Sequence, residues 1–178
     1  LFRNIYTAMN LSLIAYFFIA GVGMYFLAYN FANSRSAAFI AAIVYMFNGF
    51  MHSFVLQGHL VILEGYTLIP IIFFFVHKAL KSREWLAYSI AAGIFFALQI
   101  FSGSMILFFY TALLVFFYLA FNLISKNFAN ALIKSFFVGL AIASVAVGLA
   151  AIKLLPVLEF TKMSSRAVNV SFAEFLGH

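Results

Sequence analysis

Residues 136–155 read FFVGLAIASVAVGLAAIKLL, twenty residues in which Lys153 is the one charged side chain. A helix needs about 20 predominantly apolar residues to cross a bilayer. Apolar and polar residues do not alternate here, as they do in the roughly ten-residue strands of membrane β-barrels. Because lipid offers the backbone no hydrogen bonds, such a run must satisfy its own amides and carbonyls. The sequence therefore predicts a transmembrane α-helix.

The composition extends this prediction to the whole chain. Of 178 residues, 67% are hydrophobic and 8% are charged, and the mean hydropathy is +1.14. An ordinary soluble domain is about 25% charged. Cysteine is absent, which excludes disulfides and thiolate metal ligands, and all four acidic residues are glutamates: Glu64, Glu84, Glu159 and Glu174. We expect an integral membrane protein.

The apolar runs predict an all-α, polytopic bundle of about six spanning helices. The predicted spans lie at roughly 5–29, 36–57, 59–80, 86–103, 104–124 and 135–158. Proline breaks the helical hydrogen-bond ladder, so Pro156 is expected to end the last span. We expect residues 1–158 to form the bundle and 159–178 to begin an extracytoplasmic loop. Because the chain starts at Leu1, we expect it to be a fragment of a longer protein.

Basic residues follow the odd-numbered spans, and the other two turns, LQGHL and SGSM, hold no Lys or Arg. Cytoplasmic loops of membrane proteins are enriched in Lys and Arg, so these connections are expected to face the cytoplasm and both chain ends the outside. Lys162 and Arg166 in the tail weaken this bias. The basic residues concerned are Arg35, Lys78, Lys81, Arg83, Lys126 and Lys134.

The spans differ in residue size. The sixth is rich in Gly, Ala and Ser, which allow close helix approach, so we expect it to be central. The third and fifth are crowded with Phe, Leu and Ile, and we expect them to face lipid. The scattered basic residues are expected to anchor the spans, His77 with them, and no nucleic-acid partner is expected.

Polar side chains, which are energetically unfavourable within a membrane, lie at the predicted outer ends of the spans. We place the candidate substrate-binding site there. Glu64 lies one turn inside the third span, where an ionised acid calls for a partner or an aqueous cavity. It is alternatively an interfacial glutamate in headgroup water. His59 follows a glycine in the turn, and it either donates to an anionic headgroup or sugar or bonds backbone carbonyls.

The remaining candidates flank the other predicted outer turn and the last span. Gln99 lies in QIFSGSMI, 99–106, whose serines and Gly103 also fit simple turn chemistry. Lys153, Glu159, Lys162 and Arg166 follow one another through AIKLLPVLEFTKMSSR, 151–166. Such a basic cluster suits a lipid phosphate, although snorkelling of long cationic side chains also explains it.

Several chemistries lack a sequence signature. His59 and Glu64 are five residues apart, not the three or four that share a helix face, so no metal site is expected. Neither GxxxxGK[ST] nor GxGxxG after a strand occurs, and we expect no cofactor. No Gly-x-Ser-x-Gly nucleophile elbow occurs either.

Short motifs in a fixed order resemble the bacterial YfhO-type membrane proteins, which belong to the GT-C class of glycosyltransferases. They are GMY at 23–25, NGF at 48–50, GH at 58–59, SG at 102–103, and LLPVLE at 154–159 followed by SSR at 164–166. The resemblance implies transfer of a sugar from a polyprenyl-phosphate carrier to a cell-envelope polymer or glycolipid at the outer face of a bacterial cell membrane.

Two departures from that family matter. Its catalytic acid is usually an aspartate between the first two spans, whereas this chain has no aspartate and its first span resembles the family's third. The resemblance therefore places the catalytic residue upstream of Leu1. The turn SGSM stands where the family often has a glycine followed by histidine and proline, so no role for that histidine carries over.

Two other functions fit the same sequence. A transporter or flippase of lipid-linked sugars also has small-residue spans and polar groups within the membrane. A non-catalytic membrane scaffold would tolerate replacement of the outer polar residues. An acidic residue in a long upstream loop would favour the transferase over both.

Overall fold

The computed structural model describes residues 5–124 and 128–163, and within those ranges every regular element is helical. Seven α-helices and one 3₁₀ turn follow in order. They are α1 (Ile5–Ala32), α2 (Arg35–Met46), α3 (Gly49–Leu56), α4 (Leu60–Lys81), α5 (Trp85–Ser102), α6 (Met105–Phe121), the 3₁₀ turn Asn122–Ile124, and α7 (Phe128–Met163).

These helices form six segments long and apolar enough to cross a membrane, with α2 and α3 together making the second, Arg35–Leu56. Large apolar side chains remain on the outside of the bundle, among them Ile14, Phe109 and Phe136, each more than 60% exposed. Such a surface suits lipid and not water. The predicted all-α bundle of about six spans is confirmed.

Successive spanning helices run in opposite directions, so the connections between them lie at two distinct ends of the bundle. At the first, which we call the basic end, the Lys134 Nζ donates to the Ser82 carbonyl over 3.1 Å. At the other, which we call the turn end, the turns at 57–59 and 103–104 lie and the Lys153 Nζ donates to the Ile100 carbonyl. The grouping of basic residues at one end agrees with the sequence prediction. That the basic end is cytoplasmic stays a prediction.

The third span, α4, is the central helix, so the expectation that it faces lipid was wrong. It packs against α1 and α5 and also contacts α3, α6 and α7. Leu68, Ile72 and Val76 lie in the main core, together with Val138 and other residues of α5, α6 and α7. Leu68, Ile72 and Val76 recur every four positions, which places them on one face of α4.

The fifth and sixth spans are arranged partly as expected. Phe116 and Phe117 of α6 are exposed at the surface of the bundle, as predicted for a lipid-facing helix. In α7, Ala146 and Ala150 are buried, whereas Gly148 is exposed. The small residues of α7 thus serve packing on one side of the helix only, and that helix is not the centre of the bundle.

The second span is interrupted between α2 and α3. The Asn48 side chain caps α3, because its Oδ1 accepts from the Met51 amide over 2.9 Å. Its Nδ2 donates to the Tyr45 carbonyl over 2.7 Å and to the Tyr66 hydroxyl over 2.6 Å. A helix break at membrane depth exposes backbone groups that lipid cannot satisfy. The Asn48 side chain therefore satisfies one amide and one carbonyl of the interrupted helix.

Replacing Asn48 with alanine is expected to destabilise the protein by about 1–2 kcal/mol, the usual loss on removing an N-cap. The measurement is thermal unfolding of the purified protein in detergent. Asn30→Ala is the matched control, because the half-buried Asn30 side chain donates to the Phe26 carbonyl of its own helix and to no other group in the described chain. Equal melting temperatures for the two variants would contradict a role for Asn48 at the break.

The sequence led us to expect that the last helix ends at Pro156. It instead continues to Met163. At 1.5 Å per residue, its 36 residues span about 54 Å, longer than the roughly 30 Å hydrocarbon core. Since Lys153 lies level with the α5–α6 turn, the ten residues after it project about 15 Å beyond the turn end. The division of the chain at residue 158 stays a prediction.

Candidate functional site

The described candidate residues all belong to the turn end of the bundle. His59 immediately precedes α4, and Glu64 lies in the second turn of that helix. Gln99 lies near the end of α5, while Lys153 and Glu159 follow one another on α7. The side chain of Lys162 and the whole of Arg166 lie outside the described residues, so their roles stay predictions.

Gln99 is fully buried and joins three helices. Its Nε2 donates to the Gly65 carbonyl of α4 and to the Thr111 Oγ1 of α6, both over 2.9 Å. The Thr111 hydroxyl donates in turn to the Leu107 carbonyl over 2.7 Å. Because both neighbours must accept, the amide nitrogen has to face them, and the Gln99 Oε1 is left buried without a hydrogen-bond partner in the described chain.

Close packing between α4 and α6 lies beside this amide. A Cβ atom at Gly65 would stand 2.9 Å from the Ser104 Cβ, so only glycine fits without a shift. The Ser104 Oγ is also buried without a hydrogen-bond partner in the described residues. Most buried polar atoms in proteins are hydrogen-bonded. The junction of α4, α5 and α6 therefore holds two polar atoms that the described fold does not use.

Lys153 stabilises the end of α5. Its Nζ donates to the carbonyls of Ile100 and Phe101, each over 2.9 Å. The last carbonyls of a helix lack partners within the helix, and a cation there also interacts favourably with the helix dipole. Gly103 then reverses the chain with a φ of 89°, a left-handed conformation that favours glycine. An ammonium has three donor protons, so one remains for a further acceptor.

Glu64 is half-buried. Among the described residues, its carboxylate makes no ion pair and no side-chain hydrogen bond, although it interacts electrostatically with Tyr16 of α1. It thus lies on the side of α4 that meets α1, away from the Gly65 contact with α6. An acid within a transmembrane segment is costly unless a partner or water stabilises it. Glu64 meets that description of a functional residue.

The other two described candidates are exposed. The His59 ring lies 6.1 Å from the Phe54 ring, centroid to centroid, and its side chain does not cap α4. Glu159 lies on the projecting part of α7. No hydrogen bond or ion pair joins His59, Glu64 or Glu159 to Lys153 in the part of the chain that the structure describes. The structure therefore places Gln99 and the Lys153 ammonium at the same end of α5, without a direct hydrogen bond between them in the described chain.

No three His or Glu side chains come close enough to hold a metal ion within residues 5–124 and 128–163.

Comparison with known sequences identifies the family. The family described as "6-pyruvoyl-tetrahydropterin synthase related domain; membrane protein" matches residues 1–176. This chain belongs to that family. Neither a curated protein nor a solved structure matches it. The membrane-protein description of the PTPS-related family agrees with the six crossings. This match does not test the YfhO-type resemblance, which stays a prediction.

This member of the PTPS-related family holds a second polar feature, which sequence reasoning missed. His77, interpreted above as an anchor, is 3% exposed, and its Nδ1 lies 2.6 Å from the Tyr118 hydroxyl. Both residues line a cavity of about 440 Å³ at the basic end. The sequence does contain an indication that His77 is more than an anchor, because it ends the apolar run IIFFFVH. Ionisable residues within membrane segments are rare and often functional.

Proposed function

We propose that the full-length protein is a membrane glycosyltransferase, which moves a sugar from a polyprenyl-phosphate carrier to a cell-envelope acceptor at the turn end. The observation that carries this proposal is Glu64, a half-buried acid without an ion pair in the described chain. Its position at the end opposite the basic residues fits an outward-facing site. The resemblance to GT-C enzymes supplies the reaction class.

Within this proposal, Glu64 and His59 bind hydroxyl groups of the sugar or orient the catalytic acid, which we expect upstream of Leu1. A carboxylate accepts hydrogen bonds and an imidazole both donates and accepts, so the pair can bind several hydroxyls. Gln99 has a different role, because its side chain is fully buried. It positions α4, and therefore Glu64, through its bond to the carbonyl of Gly65.

The carrier phosphate needs positive charge, because charge develops on the leaving phosphate as the sugar departs. Lys153 retains one donor proton after its two bonds to α5 and lies at the turn end. Lys153 is therefore the described cation that we propose for this phosphate, while the participation of Lys162 and Arg166, which follow Glu159 in the sequence, stays a prediction. Arginine suits this task because its planar fork binds two phosphate oxygens at once.

A flippase of lipid-linked sugars is the second candidate, and the broken second span favours it. Discontinuous helices near the centre of the membrane form substrate sites in many transporters. The break at Asn48 lies about 12 Å from the turn end, since α3 is eight residues long. A flippase would move the intact carrier-linked sugar across the bilayer without breaking the sugar–phosphate bond.

The two candidates are separated by reconstituting the full-length protein into liposomes that carry a polyprenyl-phosphate-linked radioactive sugar. A transferase releases the carrier phosphate and labels an added acceptor, whereas a flippase exposes the intact donor on the opposite leaflet. Glu64→Gln is expected to lower transfer by about tenfold or more, the loss typical of one hydrogen bond to a charged group.

Glu84→Gln is the matched control, because Glu84 is an exposed acid at the basic end of the bundle. It should leave the transfer rate unchanged. Transfer that proceeds equally well in both variants would remove Glu64 from the site. Donor movement across the bilayer with no sugar release would replace the transferase by the flippase.

A further inference from the structure

The basic end contains a cavity of about 440 Å³, which we call the His77 cavity. It lies where the ends of α1, α4 and α6 meet, and small-molecule sites commonly measure about 300–1,000 Å³. Phe31, Phe121 and Ile124 supply apolar walls, while the polar lining consists of His77, Lys81, Tyr118 and Asn122. None of the described lining residues is acidic, so the cavity favours an anion.

The His77–Tyr118 pair always leaves one donor proton unused. If the tyrosine donates to the histidine Nδ1, the imidazole proton is on Nε2. If the Nδ1 carries the proton and donates, the phenol proton is unused. Neither residue has another hydrogen-bond partner in the described chain. Since His77 is 3% exposed, a nearly buried donor is available to a ligand in this cavity.

Lys81 and Asn122 add charge and further hydrogen-bonding capacity. Lys81 is exposed at the end of α4 and makes no hydrogen bond or ion pair among the described residues. The Asn122 Nδ2 donates one hydrogen bond to the Ser135 hydroxyl over 3.1 Å, which leaves its second proton for a ligand. A cation and two or more neutral donors around an open space match a phosphate group, which offers several acceptor oxygens.

We propose that the His77 cavity binds the phosphate group of an anionic lipid, with Lys81 as its cation and the His77–Tyr118 pair as a neutral donor. The lipid chain then lies against Phe31, Phe121 and Ile124. Basic pockets between transmembrane helices are known to bind anionic headgroups. This site lies at the opposite end of the bundle from Glu64 and does not depend on the proposed sugar transfer.

Lys78 and Lys81 lie in the last turn of α4 and provide a matched pair of variants for the test. The Lys78 Nζ lies 5.8 Å from the centre of the Phe74 ring, and Lys78 does not line the cavity. The full-length protein is placed in phosphatidylcholine nanodiscs with increasing phosphatidylglycerol, and native mass spectrometry counts the bound anionic lipids. Lys81→Ala is expected to weaken binding about fivefold, and Lys78→Ala less than about twofold.

The remaining arms identify the source of the phosphate and check the fold. Inorganic phosphate is added to lipid-free protein in neutral detergent; saturable, Lys81-dependent binding supports the site and assigns it to a soluble phosphate. Lys81→Arg should retain binding, because arginine also binds phosphate. Equal thermal stability of Lys81→Ala and wild type in pure phosphatidylcholine excludes misfolding. Equal losses in both alanine variants, or no saturable binding of either phosphate source, would overturn the proposal.

Discussion

Gly93→Ala is expected to lower the melting temperature of the protein, because the added methyl group has no space between α5 and α7. A Cβ atom there would stand 2.7 Å from the Val145 Cβ and 3.0 Å from the Ile142 carbonyl oxygen. Neither atom is the flexible end of a side chain, so the two helices must separate. Overpacking of this kind typically costs about 1–3 kcal/mol.

Gly148→Ala is the control for this prediction. Gly148 also lies within a spanning helix, α7, but apart from its chain neighbours and the adjoining helix backbone, no described atom stands within 4 Å of a Cβ built on it. Alanine favours a helix over glycine by about 1 kcal/mol, so this control should be neutral or stabilising. The same helix propensity applies at Gly93, which lies within α5, so the expected difference between the two variants is the overpacking cost alone, about 1–3 kcal/mol, measured by thermal unfolding in one detergent. Melting temperatures that rise equally would contradict the close contact of α5 with α7.

The sequence predicted the six crossings because crossing a bilayer demands length and apolarity, and both are directly visible in the residues. It did not predict which helix is central. Bulky residues suggested lipid contact for α4, yet Leu68, Ile72 and Val76 pack inward on one face of it. Residue size alone does not tell which neighbour a helix face meets.

The prolines and the asparagine show a second limit. Pro70 and Pro156 both lie inside helices. Neighbouring helices can satisfy the backbone group freed at the buried Pro70, whereas Pro156 is exposed on the projecting part of α7, where water can do so. Asn48 lies at the break of the second span. Its three hydrogen bonds involve Tyr45, Met51 and the distant Tyr66, a contact between spans that the local sequence does not reveal.

The sequence predicted at which end of the bundle the candidate residues lie, but not which of them contact one another. His59, Glu64, Gln99, Lys153 and Glu159 were all placed at one end, which follows from alternating helix directions. Which of them interact depends on helix rotation, and local spacing does not fix rotation. The same limit explains why the sequence predicts an anchor at His77, although its side chain is nearly buried in the structure.

Lys153→Met is expected to destabilise the protein by about 3 kcal/mol and to fray the end of α5. Methionine keeps an apolar stem of similar length but cannot donate to the carbonyls of Ile100 and Phe101. Hydrogen bonds from charged groups are worth about 1.5–3 kcal/mol each, and water can partly replace one of them at the membrane boundary. A loss of this size lowers the melting temperature by roughly 6–12 °C.

Hydrogen exchange measures the local part of this prediction. The Gly103 amide donates to the Ile100 carbonyl over 3.1 Å, so it should exchange faster once Lys153 no longer holds the same carbonyl. Lys78→Met, at the opposite end of the bundle, should leave exchange at residues 99–105 unchanged. Unchanged exchange and stability in Lys153→Met would show that the ammonium does not cap α5. Lys153 would then have all three protons available for the carrier phosphate, and a loss of sugar transfer in that variant would report substrate binding alone.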